Sequence, residues 1–504
     1  VVSRAFANLA VVLGTTLLAG LALADSLPPA AQPGAEQSPS ADGSTPLQWA
    51  TYRGDAAEVQ RLLDAGADVS VANAYGVTPL QLAAETGNAA ILALLLKAGA
   101  DVESPNSEGQ TALMNVARTG NVEAAKLLLK HGANVNAAER FGGQTALMWA
   151  AARRHPEMVK LLAAKGADVN ARAIVRRFDR HITVEQRYKN THTGGLTPLL
   201  YAVRENCKGC VEALLQRRAD IALPDPDGIA PLTVALMNGN WDIAKRLVEA
   251  GADVNQWDIY GQAPLHVAIE AAYVSRPGAD NLGSDKTPNE ADGKQLVRLL
   301  VERGADPNQQ MFFRSPREPG LVASGSRGTT PFHRACASLD VELIQYLLAH
   351  GAEINLHSAS GESALMVAIG ARGSEEQILA AMRVLHAAGA DPNMVQQVIV
   401  LNRNRGGSAL HAATKKGLKK VMAELVSYGE DPNLKDQDGL TALDYAMSRG
   451  WLPALSTRPP PRMDLAKVLR ELGATVELGK VPDWPGEFPP IGPPRGHEAE
   501  IWPL

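Results

Sequence analysis

The sequence predicts an all-α repeat solenoid of about eleven two-helix units, and three observations predict it. A short motif, TPLQLA in its clearest form, begins at Thr45, Thr78, Thr111, Thr145, Thr197, Ala230, Ala263, Thr330, Ser363, Ser408 and Thr441. The commonest spacing between copies is 33 residues, the length of a supersecondary unit rather than of a helix or a domain. A second marker, GADV or a close variant, follows the first by twenty-one residues in most units, at Gly66, Gly99, Gly132, Gly166, Gly251, Gly351 and Gly429. Two markers held in phase down the chain exclude coincidence.

The unit from Thr78 to Gly109 shows what each position is for. Thr78 is suited to cap a first helix, and Pro79 fits its first position because a missing N–H costs nothing there. Leu80, Leu82 and Ala83 give that helix an apolar face, with alanine small enough to let neighbouring helices approach. Gly87 permits the left-handed turn that ends it. Leu94, Leu95 and Leu96 belong to a second helix ended by Gly99, and Asn73 with Gly76, like Asn106 with Gly109, suits the tight turn between units. One such pair cannot bury its apolar face alone. Stacked copies bury it on each other, so stability becomes a nearest-neighbour property.

These residues resemble the ankyrin repeat, and the resemblance covers Thr45 to about Leu478. It implies helix-turn-helix units joined by β-turn fingers, with partners docking on finger tips and on the exposed face of the first helices. Carried over position by position, it implies Tyr75, Arg140, Phe141, Ile259 and Tyr260 at fingers, with packing against the neighbouring finger as the alternative for Phe141 and Tyr260, and Glu85, Arg118 and Arg153 on the first-helix face. His266, His333 and His411 share the fourth position of the motif, where the resemblance implies a side chain bonding the backbone between neighbouring units.

Fixed offsets also assign the interruptions. The interval holding the finger lengthens by about nineteen residues after Gly166, fourteen after Gly304 and seven after Gly389. The interval holding the two helices and their connecting loop lengthens by about twenty in the unit at Ala263, five in that at Ser363 and eleven in the last. The 67-residue gap after Ala263 is read as two insertions rather than a lost repeat, because residues 294–308 supply a single second helix. All three finger insertions are basic. The first carries Arg172, Arg176, Arg177, Arg180, Arg187 and Lys189 against Asp179 and Glu185, and alternation over residues 180–188 suggests a β-hairpin arm. The second carries Arg314, Arg317 and Arg327 against Glu318, with Phe312 and Phe313 either as a further pair of anchors or folded back to cover the stack, and the third carries Arg403 and Arg405. The helix-side insertion at 271–293 is acidic instead.

Ahead of the repeats, Arg4, an apolar run from Leu9 to Leu23 and the small residues of Ala22-Leu23-Ala24 read as a secretory signal peptide, 1–24, cleaved after Ala24. An uncleaved anchor is the alternative, although the run is short for a bilayer span. Residues 25–44 read as a disordered Pro/Ser/Ala linker, 45–478 as the solenoid, and 479–504 as a Pro/Trp-rich tail that either straps the last repeat or binds a partner. These features point to a periplasmic or secreted protein with no stable membrane span.

Catalytic signatures are lacking: the 504 residues contain no phosphate-binding P-loop, HExxH, GxSxG or EF-hand pattern. No cofactor and no metal site is expected. Cys207 and Cys210 form a CxxC between the two helices of their unit, read first as a disulfide clasping that loop, with reduced thiols, a metal half-site or a redox pair as alternatives. Cys336 reads as core. A formal net charge of -5 and a pI near 6.2 argue against a general nucleic-acid binder. The expectation is a non-catalytic scaffold that holds a protein partner with an acidic surface against its basic finger edge. Attachment to anionic lipid or polysaccharide through the same arginines is the alternative.

Overall fold

The structure, a computed structural model, describes residues 42–177, 192–274, 289, 291–312, 327–396, 407–448 and 460–475. The expected signal segment, nearly all of the linker, Arg180, Arg187, Lys189, Phe313, Arg314, Arg317, Arg403, Arg405 and the tail lie outside the described residues. Two compact units are present, one through Ser107 and one from Glu108 onward.

The first unit holds α1 (Pro46–Arg53), α2 (Ala56–Asp64), α3 (Pro79–Thr86) and α4 (Ala89–Lys97). The second holds α5 (Ala112–Thr119), α6 (Val122–Lys130), α7 (Ala146–Ala152), α8 (Pro156–Ala164), strands β1 (Val175–Arg177) and β2 (His192–Gly194), α9 (Pro198–Arg204), α10 (Lys208–Leu215), α11 (Pro231–Met237) and α12 (Trp241–Glu249). It continues with α13 (Pro264–Ile269), α14 (Gly293–Glu302), α15 (Pro331–Ser338), α16 (Val341–Ala349), α17 (Ala364–Gly370), α18 (Glu375–Ala387), α19 (Ala409–Lys416), α20 (Lys419–Ser427), α21 (Ala442–Ala446) and α22 (Met463–Glu471). Among the described residues these helices form eleven consecutive pairs, as the motif spacing predicts. Within the second unit each first helix packs on its own second helix and on the next first helix, as α5 does on α6 and α7.

Local chemistry explains the boundaries. Thr78, Thr111, Thr145, Thr197, Thr330 and Thr441 each cap a first helix, the hydroxyl accepting from the third helical amide. The core between helices is aliphatic: Leu113, Val116, Leu128, Leu147, Val159 and Leu162 are fully buried in the first two pairs of the second unit. The glycine that ends most second helices is replaced once, by Arg218, which takes the same left-handed conformation at φ 60°.

Beyond the helices, an asparagine ladder ties successive turns. The Asn308 amide donates to the Gly351 carbonyl at 2.8 Å, and its oxygen accepts from the Glu353 amide at 2.8 Å. Asn255, Asn355, Asn393 and Asn433 repeat both bonds one unit along.

The insertions divide as the offsets predict, with two corrections. α13 runs through a π-helical turn (Glu270–Val274) and packs directly on α14, so one repeat spans Ala263 to Gly304. The end of that insertion is stitched to the preceding repeat: Asn289 donates to the Gly239 carbonyl and the Ala291 amide to Asp242, each at 2.7 Å. The five extra residues of the Ser363 unit mostly lengthen a helix rather than the connecting loop, since α18 has 13 residues where α16 and α20 have 9. Residues 42–44, expected as linker, already belong to the first finger. Ser44 is buried and the Asp42 carbonyl accepts from the Ala74 amide at 2.9 Å.

Candidate functional site

The finger edge is built by buried acceptors that fold each tip back on itself. In the Glu139 finger the carboxylate of Glu139 accepts from the amides of Phe141 (2.6 Å), Gly142 (2.7 Å) and Gln144 (3.0 Å). Asp258 does the same for Tyr260 and Gln262, both at 2.9 Å. In the first unit Asn73 accepts from Tyr75 and Val77. Main-chain bonds then link one tip to the next within the second unit: Arg140 to the Glu108 carbonyl, Ile174 to Gly142, Ile259 to Asp227, and Phe312 to Tyr260. At the Asp225 finger the corresponding residue is Pro226, which has no N–H, and there Pro226 packs against Gly195 at the foot of β2.

The sequence-predicted residues separate on this frame. Tyr75 stands 63% exposed, Phe141 59% and Ile259 43%, at three finger tips. Tyr260, expected as an anchor, is only 4% exposed. The segment Met311–Phe312 lies over it, with the Phe312 amide on the Tyr260 carbonyl at 2.8 Å, so it serves packing and not docking. Phe312 is half-buried, edge-on to Trp257 with ring centroids 5.0 Å apart. Arg140 and Arg153 are exposed, and Arg118 is half-buried, with its carbonyl accepting from His155 at 3.1 Å.

The first finger insertion opens as an antiparallel ribbon. Val175 pairs with Gly194, Arg176 with Thr193 and Arg177 with His192. The 180–188 stretch expected as a hairpin arm lies outside the described residues, as do Arg180 and Arg187, and Arg177 lies on β1. The Arg176 guanidinium donates to the Phe141 carbonyl, and Arg172 to the Gly195 carbonyl at 3.4 Å. Ile174 and Val175, which sequence reading passed over, are exposed, and the Ile174 amide is bonded to the Gly142 carbonyl next to Phe141. Their signal was available: an apolar pair heading an arginine-rich insertion.

The remaining candidates are structural. Nδ1 of His266 accepts from the Ala263 amide, and its Nε2 meets the Thr329 carbonyl of the next repeat at 3.3 Å. His411 repeats this on Ser408 and Leu440. Burial lowers the pKa of His266 to about 3 and that of His333 to about 4. Cys207 and Cys210 are joined by a disulfide. It lies within the first turn of α10, where Cys207 is the cap, rather than across the preceding loop. Cys336 is buried and its thiol pKa is raised by desolvation. Among the described residues no cluster of His, Cys, Asp and Glu has metal-site geometry, and no helix is long and apolar enough to cross a membrane.

Glu430 is a buried acid that sequence reading missed and that no finger turn explains. Glu430 occupies the position that is alanine in the other units, Ala67, Ala305 and Ala390 among them. It is 2% exposed, one oxygen accepts from the Leu410 amide at 2.9 Å, and the other has no partner among the described residues. Burial raises its pKa to about 7. Reading the repeats column by column exposes it.

Comparison with known proteins agrees with the fold. The family described as ankyrin repeats (3 copies) matches residues 17–106, 100–173, 199–276, 290–395 and 374–476. Human B-cell lymphoma 3 protein is 30% identical over 260 residues, 48% of this chain and 54% of that protein. A putative zebrafish (Danio rerio) palmitoyltransferase, ZDHHC13, is 35% identical over 248 residues, 49% of this chain and 31% of that protein. A crystal structure of the Bcl-3 ankyrin repeat domain is 29% identical and covers 45% of this chain and 94% of that one, at a TM-score of 0.38. The chain thus spans about half the length of B-cell lymphoma 3 protein and about a third of the palmitoyltransferase. With family matches spread along most of its length, the chain belongs to the ankyrin-repeat family.

Proposed function

We propose that this chain is a non-catalytic scaffold that binds a protein partner with an acidic surface along its finger edge. Ankyrin repeats generally mediate protein–protein interaction. The observation that carries the particular reading is the pairing of exposed tips, Phe141 above all, with exposed arginines on an edge whose own carboxylates, Glu139 and Asp258, are buried and consumed by main-chain amides. Aromatic and arginine side chains are the commonest anchors of interfaces. The basic insertions extend the same edge, and the expected signal segment places the mature chain in the cell envelope or outside the cell.

Affinity capture from envelope extract, using the chain that begins at Asp25 and the same chain lacking residues 172–192, tests this. A protein captured by the first and lost by the second is the expected result. Identical capture by both overturns the basic-edge reading. Salt-sensitive binding to anionic vesicles with no protein captured overturns the scaffold reading in favour of lipid attachment.

A further inference from the structure

Exposed apolar side chains are not spread evenly over the described residues. Of the seven large ones, Phe141, Ile174 (46%) and Val175 (44%) fall on two segments held together by one main-chain bond, the Glu139 finger and the start of the β1–β2 ribbon. Single exposed apolar residues are ordinary, whereas a cluster marks a surface that something covers. The join is tight. The Ile174 amide donates to the Gly142 carbonyl at 2.6 Å, and the Ile174 side chain lies so close to Gly143 that a Cβ there would stand 2.7 Å from it. Side chains alternate along a strand, so Ile174 and Arg176 share one face of β1. A ribbon of two strands is marginal by itself, and Ile174 and Val175 at the start of this one both remain exposed.

Charge selects what covers it. Arg172 and Arg176 are exposed at the foot of the ribbon, and Arg140 is exposed on the same finger with its side chain lying over Gly109; none of them takes part in an ion pair among the described residues. Glu139, the carboxylate at this finger, is 6% exposed and saturated by three amides. The local face is therefore positive in a chain whose net charge is -5. The finger's carbonyls are already used, Gly142 by Ile174 and Phe141 by Arg176, so recognition here runs through side chains rather than by adding a strand. Arg176 spends part of a five-donor fork on Phe141, leaving donors that suit a carboxylate.

We infer that the surface formed by Phe141, Ile174 and Arg176 docks an acidic peptide segment bearing a bulky apolar side chain. The apolar group packs on Phe141 and Ile174, a flanking carboxylate meets Arg176, and Arg140 adds positive charge from the same finger. This rests on the scaffold reading above and supplies the chemistry of its partner.

Fluorescence polarisation of the full chain with three labelled decapeptides tests it: one alternating Glu with Leu, one with Ser in place of Leu, and one with Lys in place of Glu. The Glu/Leu peptide should bind at least about tenfold more tightly than the others, and lose about tenfold on Phe141→Ala, Ile174→Ser or Arg176→Glu, with Met463→Ala as a neutral control. Circular dichroism melts establish that each variant is folded, and the two apolar variants provide a reading if Arg176→Glu unfolds. Equal affinity for the three peptides, or indifference of the Glu/Leu peptide to all folded variants, overturns the inference. Binding to phosphatidylglycerol vesicles but to no peptide also overturns it. A partner captured from extract that ignores these substitutions sinks this site while leaving the scaffold reading intact. Absence of both partner and peptide binding sinks the two together.

Discussion

The guanidinium of Arg176 donates to the main-chain carbonyl of Phe141, so the foot of the β1–β2 ribbon and the tip of the finger before it form one surface. An inserted arm is thereby fixed to the repeat frame at its base. Docking residues should then be separable from packing residues by what their removal does to stability.

Phe141 and Tyr260 provide that separation. Phe141 is exposed, so Phe141→Ala should change stability by no more than about 0.5 kcal/mol. Tyr260 is buried under the Phe312 segment, and Tyr260→Ala should cost roughly 3 kcal/mol or more. Thermal melts of the two variants check this. Comparable losses in both would make Phe141 a packing residue.

The asparagine ladder should bear measurable weight although it is solvent-exposed. Asn308→Ala removes one bond to Gly351 and one from Glu353, and should cost about 1–2 kcal/mol. Hydrogen exchange at the Glu353 amide should accelerate in step. Unchanged exchange there would show that water replaces the ladder without penalty.

Glu430 should make stability fall with rising pH. Its folded pKa, about 7, lies above the value of about 4.5 for a free glutamate, so the protonated form is favoured by folding. The benefit is complete below pH ~4.5 and disappears as pH rises through 7, a change on the order of 3 kcal/mol. Glu430→Ala restores the residue of the other units and should raise the melting temperature at pH 8 more than at pH 5. His266 and His333 act in the opposite direction. Their pKa values are depressed, so their contribution holds above about pH 6.5 and is lost as pH falls toward 3–4. A melting temperature in Glu430→Ala that follows pH as the parent's does would contradict the assignment.

Arg218 carries a backbone cost that its side chain does not need. It is exposed and left-handed at φ 60°, where most other repeats have glycine. Arg218→Gly should stabilise by about 1 kcal/mol, read as a rise in melting temperature. A fall would mean that the Arg218 side chain makes a contact worth more than the strain.

The regular part of this fold was legible because it repeats. Thr78-Pro79, Gly87 and Gly99 state a cap, a start and two stops, and copying them down the chain locates every helix pair found. Exposure at the tips was less legible. Ile259 and Tyr260 are adjacent in one turn, yet one is 43% and the other 4% exposed, and the Tyr260 carbonyl is bonded to the Phe312 amide, fifty residues on in sequence. The foot of the ribbon was illegible for a related reason: Val175–Arg177 pair with His192–Gly194 beside Ile174 and Gly195, which touch neighbouring fingers, and local alternation does not record such contacts. Glu430 escaped because a search for shared residues discards the copy that differs, and that copy is where burial acts on a carboxyl.

The most direct measurement of the central claim is the affinity of a partner captured from the envelope for the full chain, for Phe141→Ala, and for a chain with Arg140 and Arg176 both changed to Glu. The account predicts a loss of about tenfold for the first variant and a larger, salt-dependent loss for the second, with both variants melting close to the parent. Unchanged affinity in both variants would contradict it.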